Sequence, residues 1–194
     1  MYLLCTSGLM IMNKIIRRDF LKMAIGDFAT DAVKLFENAH KPTHPRPPGA
    51  LAETIFLATC IRCGKCAEAC SAKCISHNCQ ASKGITLGTP YMNYKLKGCN
   101  LCLKCIDACP TGALSENKTG LYHIGTAKIF CKTCIAWNGA ICMNCTLACK
   151  RRAITLNKGR YPLVQKDLCI GCGECQTKCI VSPRAIVIEI PDTE

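Results

Sequence analysis

The stretch "CIRCGKCAEAC", Cys60 to Cys70, sets four cysteines at spacings of two, two and three residues. The same spacing returns at Cys99, Cys102, Cys105 and Cys109, and again at Cys169, Cys172, Cys175 and Cys179. Disulfides join distant segments and have no use for three cysteines at i, i+3 and i+6. Structural zinc takes two C-x-x-C knuckles set well apart. An unbroken C-x2-C-x2-C-x3-C run is the pattern that wraps a cubane 4Fe-4S cluster, with the fourth cysteine ligating the other cluster of a pair.

A fourth group is irregular. Counting back from Cys149 gives Cys145 and Cys142 at the regular spacings, but residue 139 is Gly139. The missing first ligand is then Cys134 or, further back, Cys131. Loop closure costs rise slowly with length, so either reaches; Cys134 needs less slack. Four groups predict four 4Fe-4S clusters, held by Cys60, Cys63, Cys66, Cys70, Cys99, Cys102, Cys105, Cys109, Cys134, Cys142, Cys145, Cys149, Cys169, Cys172, Cys175 and Cys179.

Composition agrees. The 194 residues include 20 cysteines, while only 6% are aromatic and Trp137 is the single tryptophan. A core so poor in large side chains needs inorganic reinforcement. The formal charge of +12 counts cysteine as neutral. Each cluster with its four thiolates adds about −2, which brings the loaded protein near +4. No aromatic residues alternate with Lys or Arg as a single-strand binder requires, so nucleic-acid binding is not expected.

The text after each group repeats as well: "PTGAL" ends in Ala113-Leu114, "KRRAI" in Ala153-Ile154, "IVSPRAI" in Ala185-Ile186 and "SAKCI" in Cys74-Ile75. A small residue followed by an aliphatic one predicts a chain that leaves the cluster, turns, and lays an apolar side chain against it. Cys74 then holds the alanine position and reads as a small buried residue. Cys79 is the partner it would take if a disulfide formed there; Cys5 has no assigned role. "ALSENKTGLYHIGTAKIF" and "AITLNKGRYPLVQKDL" read as short hairpins, and "AIVIEI" as a strand. Short helices are expected along the second to fourth cysteines of each group, as in "CGKCAEAC" and "CGECQTKC". The predicted fold is α+β and bacterial-ferredoxin-like, two fused dicluster modules built of short hairpins and short helices.

Ahead of this domain, residues 1–39 contain Arg17-Arg18-Asp19-Phe20-Leu21-Lys22, close to a twin-arginine export signal. Asp27, Asp31 and Lys34 interrupt its apolar region, so the alternative is a retained amphipathic helix on a cytoplasmic protein. Residues 40–50, "HKPTHPRPPGA", read as a stiff linker, and residues 51–194 as the cluster domain. His40, His44, His77 and His123 read as ordinary solvated residues. No stretch is long and apolar enough to span a bilayer.

From Arg17 to Ile190 the chain resembles the MauM/NapG family of ferredoxin-type proteins. The resemblance rests on the arginine pair, "RPPGA", "CIRCGKCAEAC", "GTPY" at Gly88–Tyr91, "CPTGAL" and "CIGCGECQTKCIVSPRAI". Ser71 and Lys150 depart from it, standing where proline usually follows the fourth cysteine. The family's third group carries a seven-residue gap, which implies Cys134 over Cys131. It also implies electron transfer from a membrane quinol dehydrogenase, a NapH-like partner, to a periplasmic reductase or cytochrome acceptor. The implied location is the periplasmic face of the membrane, reached by twin-arginine export. Related four-cluster subunits pair their groups in a nested way, which would make Cys179 complete the cluster of Cys60, Cys63 and Cys66. The alternatives are the iron–sulfur subunit of a larger molybdenum oxidoreductase or hydrogenase, and a MauM-like maturation factor. Lys65, Lys104, Lys150, Arg151 and Arg152 would favour reduced clusters and steer an acidic partner. No nucleophile elbow, phosphate loop or dinucleotide fingerprint marks the chain as an enzyme in its own right.

Overall fold

Each cysteine group leaves its loop as a short helix, and these helices pack in two pairs. In the computed structural model, residues 44–79 and 81–190 are described; the arginine pair and the rest of the N-terminal segment lie outside them. Helix α1 (Glu53–Thr59) buries Phe56 and Leu57 and carries Glu53 in its first turn, where the helix dipole favours an acid. It leads into the first group. Helices α2 (Lys65–Ala69), α3 (Lys104–Asp107), α4 (Asn144–Ala148) and α5 (Glu174–Thr177) follow the second cysteines, as expected. At four or five residues none is long enough to persist alone. Packing holds them: α2 lies against α3, and α4 against α5.

Three two-stranded antiparallel sheets join the loops. Strands β1 (Ile75–His77) and β2 (Pro90–Met92) pair with Ile75 opposite Met92, closing the connection between the first and second groups. Strands β4 (Ile154–Asn157) and β5 (Tyr161–Val164) close the connection between the third and fourth. Their turn has Lys158 and Gly159 both left-handed, with Arg160 N–H donating to the Asn157 carbonyl at 3.0 Å, the twist that suits a tight hairpin. This is the expected hairpin in "AITLNKGRYPLVQKDL". The other expected hairpin does not form. Within "ALSENKTGLYHIGTAKIF", strand β3 (Thr126–Ile129) pairs with β6 (Ile186–Glu189), Ile129 opposite Ile186, while Leu114 makes a bridge with Ala50. Both flanks of the segment found partners elsewhere, because an apolar strand pairs with whichever edge also covers its inward face.

The core is thin and built as the repeat suggests. Ala113, Leu114, Ala153, Ile154, Ala185, Ile186, Cys74 and Ile75 are all buried, with Phe56, Met92 and Tyr94 the larger side chains beside them. The proline-rich segment is not a free tether from His44 onward. Pro45, Pro47 and Pro48 are buried, and Met92 N–H donates to the Pro45 carbonyl at 2.8 Å. Arg46 lies over the Phe56 ring at 4.8 Å and pairs with Glu53 at 2.5 Å, both side chains largely covered. Its guanidinium also donates to Thr89 Oγ1 and the Pro90 carbonyl, each at 2.8 Å. The rigid prolines present an arginine that fastens α1 to β2.

Removing one member of a covered ion pair strands the other. Arg46→Met is therefore expected to cost about 3–5 kcal/mol, seen as a lower midpoint in anaerobic thermal unfolding, and adding Glu53→Leu should recover most of the loss.

Candidate iron–sulfur sites

The fold gathers cysteines into four places. At site A, Cys60, Cys63, Cys66 and Cys109 line one apolar cavity with Phe56, Ala113 and Leu114. At site B, Cys70 reaches the second loop. Burial raises the Cys105 thiol to about 12, with Cys99 and Cys70 adding to the rise, and Ser71 Oγ sits 3.3 Å from Cys102 Sγ. At site C, Cys149 joins Cys169, Cys172 and Cys175, walled by Ala153, Ile154 and Ile188. At site D, Cys179 joins Cys134, Cys142 and Cys145, walled by Ala185 and Ile186. All sixteen expected cysteines fall into these four sets.

The nested pairing does not occur. Cys109, not Cys179, closes the set of Cys60, Cys63 and Cys66, and Cys179 closes the set begun by Cys134. The groups pair in sequence, first with second and third with fourth. The reason is topological: the β1–β2 and β4–β5 hairpins turn the chain back on itself between the members of each pair, while the connection between the second and third groups has no hairpin.

Local backbone geometry explains how the loops enclose a site. In the first group Arg62 and Gly64 are left-handed (φ 59° and 81°); in the second, Leu101 and Leu103; in the fourth, Gly171 and Gly173. Each marks the same two positions, the residue before the second cysteine and the residue after it. Left-handed Arg and Leu are costly, and such residues concentrate where a site over-determines the chain. Backbone donors from within these loops and from the segments beyond them point at sulfur. Leu101 N–H donates to Cys99 Sγ at 3.4 Å, Leu114 to Cys109 at 3.4 Å, Ala127 to Cys169 at 3.4 Å and Ala153 to Cys149 at 3.2 Å.

The third group winds differently. Trp137 stacks on Tyr161 with centroids 4.9 Å apart, and Asn138 Nδ2 donates to the carbonyls of Cys131, Lys132 and Cys134. This turn folds the long gap into a compact loop, with Cys134 buried in the site D wall and Cys131 exposed outside it.

The donor set fits an iron–sulfur core. Burial pushes the Cys66 thiol up to about 11 and also raises Cys145, Cys172 and Cys175. Thiolates gather in so dry a place against a strong positive charge, which an iron core supplies. Among the described residues no three His, Cys, Asp or Glu side chains converge closely enough for a single ion. At sites A, C and D the thiols instead border a void whose exposed lining is almost wholly apolar.

Site B has a fifth thiol. Cys74 is fully buried with its Sγ 3.7 Å from Cys70 Sγ. Its hydrogen bond to Cys99 holds Cys74 protonated and draws Cys99 down to about 7. Cys79 is exposed and donates to the His77 carbonyl at 3.5 Å, and all described cysteines are free thiols.

Adjacency orders the sites. A and B share the segments around α2 and α3, and C and D those around α4 and α5. B meets C where Cys99 N–H donates to the Cys172 carbonyl at 2.6 Å and Tyr94 OH to the Gly171 carbonyl at 2.6 Å. A Cβ on Gly173 would lie 2.1 Å from the Tyr94 ring, and one on Gly98 would lie 2.6 Å from the Glu174 backbone nitrogen, so bare glycines let the halves close. Lys65, Lys104, Lys150, Arg151 and Arg152 are all exposed.

Comparison with known proteins agrees with this chemistry. A family model described as a 4Fe-4S dicluster domain matches residues 59–113. The chain is 34% identical to the methylamine utilization ferredoxin-type protein MauM of Methylophilus methylotrophus, over 90% of this chain and 84% of that one. It is 37% identical to MauM of Methylorubrum extorquens, over 73% and 70%. The ferredoxin-type protein NapG of Escherichia coli K12 is 32% identical, over 74% of this chain and 69% of its own. The chain belongs to the MauM/NapG family of ferredoxin-type iron–sulfur proteins.

Proposed function

We propose that the chain is a relay of four 4Fe-4S clusters, two fused dicluster modules that carry electrons from a membrane quinol dehydrogenase of the NapH-like kind to a periplasmic reductase or cytochrome. The observation behind it is the order of the thiol sets, A to B to C to D, each adjoining the next. Each cubane, when bound, takes up and releases one electron. The chain's part is to hold the sites in sequence, exclude water with its small-aliphatic pairs, and point backbone N–H groups at the thiolates, which favours the reduced state. Among the described residues no helix is long and apolar enough to cross a membrane, so a membrane partner supplies the contact with quinol in this reading. Basic charge is concentrated in the half that holds sites C and D: between Glu116 and Asp167 there is no acidic residue and nine are Lys or Arg. That asymmetry suits an acidic partner at this end. Export by the arginine pair belongs to the same reading, since the twin-arginine route carries proteins already folded around cofactors.

A second reading has support in the relatives. Several are named for methylamine utilization, and a MauM-like role would supply electrons or clusters during maturation of a periplasmic enzyme. The two separate in cells lacking this chain. If it supplies electrons, the client enzyme should keep full activity with an artificial electron donor; if it matures the client, that activity should be absent.

Anaerobically purified protein is expected to contain about sixteen irons and sixteen sulfides. Cys134→Ser should lose or convert one cluster in redox-titrated electron paramagnetic resonance, while Cys131→Ser should leave all four. The reverse result would move the site D ligand to Cys131.

A further inference from the structure

His77 is at the end of β1, opposite Pro90 on β2. Strand alternation puts it on the same face as Ile75, which is buried. Its ring lines the site A cavity together with Cys60, Cys63, Cys66 and Cys109. A methyl placed on Gly64 would lie 3.6 Å from its Cε1 and 3.9 Å from its Nε2, so this edge of the ring faces the loop between Cys63 and Cys66. Nε2 is buried and has no hydrogen-bond partner in the protein. Leaving a buried polar atom without a partner is costly, and such atoms are rare enough to call for a cause.

The repeat sharpens the point. Aligned on the small-aliphatic pair, His77 stands two residues after Ile75, as Ile188 stands two after Ile186. Ile188 walls site C as His77 walls site A. The chain has thus put an imidazole where the equivalent wall is aliphatic.

We propose that His77 Nε2–H donates a hydrogen bond to a sulfur of the cluster bound at site A, and so sets this end of the relay at a higher potential than an aliphatic wall would. Hydrogen bonds to sulfur stabilise the added electron because the reduced core carries more negative charge. The inference rests on the cluster reading above. His77 is a positioning and tuning residue: it is not counted among the ligands, and its loss leaves all sixteen thiols in place.

The test compares His77→Ile, which installs the site C wall, and His77→Gln, which keeps an N–H donor, with the unaltered full-length chain purified anaerobically. Each protein is analysed for iron and titrated by electron paramagnetic resonance. The expected result is an unchanged iron content in all three, one of the four midpoints moved to lower potential in His77→Ile, and that midpoint restored at least in part in His77→Gln. Unmoved midpoints in His77→Ile would overturn the proposal while leaving the four-cluster reading intact. Equal shifts in both variants would also overturn it, since packing and not donation would then be the cause. Loss of about four irons in His77→Ile would show His77 to be a ligand. Iron-free protein of every type would remove the cluster reading itself.

Discussion

Burial of thiolate is the constraint on which the molecule turns. A cysteine sulfur sunk among apolar side chains resists ionisation, and here several sit so deep that their thiols titrate well above the ordinary range. Such sulfurs gathered into shared sets would be a liability in a chain with so few large side chains. An iron core reverses the sign of the problem, because the charge that burial forbids is the charge the metal demands. The fold then needs little else: short helices, sheets of two strands, and small residues that let the chain close on its sites.

Much of this was legible in the sequence because it is local. The cysteine spacings, the short helices inside them, the small-aliphatic pairs and the hairpin of β4 and β5 all follow from residues within a few positions of one another. The irregular spacing of the third group has the same local origin: Cys134 is the nearer of two choices, and the turn that buries it in the wall of site D is built from Trp137 and Asn138 beside it.

What depends on distant pairing was not legible. The segment before β3 has the composition of a hairpin, yet β3 finds its partner in β6, some sixty residues further along the chain. Strand identity can be read from periodicity, but the choice of neighbour is set by which edges the finished fold leaves open. The pairing of cysteine groups failed in the same way, since it reflects which connections fold into hairpins. The prolines of "HPRPPGA" suggested a spacer, and only the buried Arg46–Glu53 pair shows that they are a clasp. His77 looked ordinary because a histidine beside Asn and Ser carries no local signal; its meaning comes from the cavity it faces.

The exchange of fourth cysteines has a bearing on how such a protein is made. Site A cannot be completed until the second group has folded back to offer Cys109, and site B waits on Cys70 from the first. Neither thiol set of a pair is complete until the other group has folded back, so the two sets of each half form together. A half-folded chain has loose ends at both thiol sets, and a complete half locks itself.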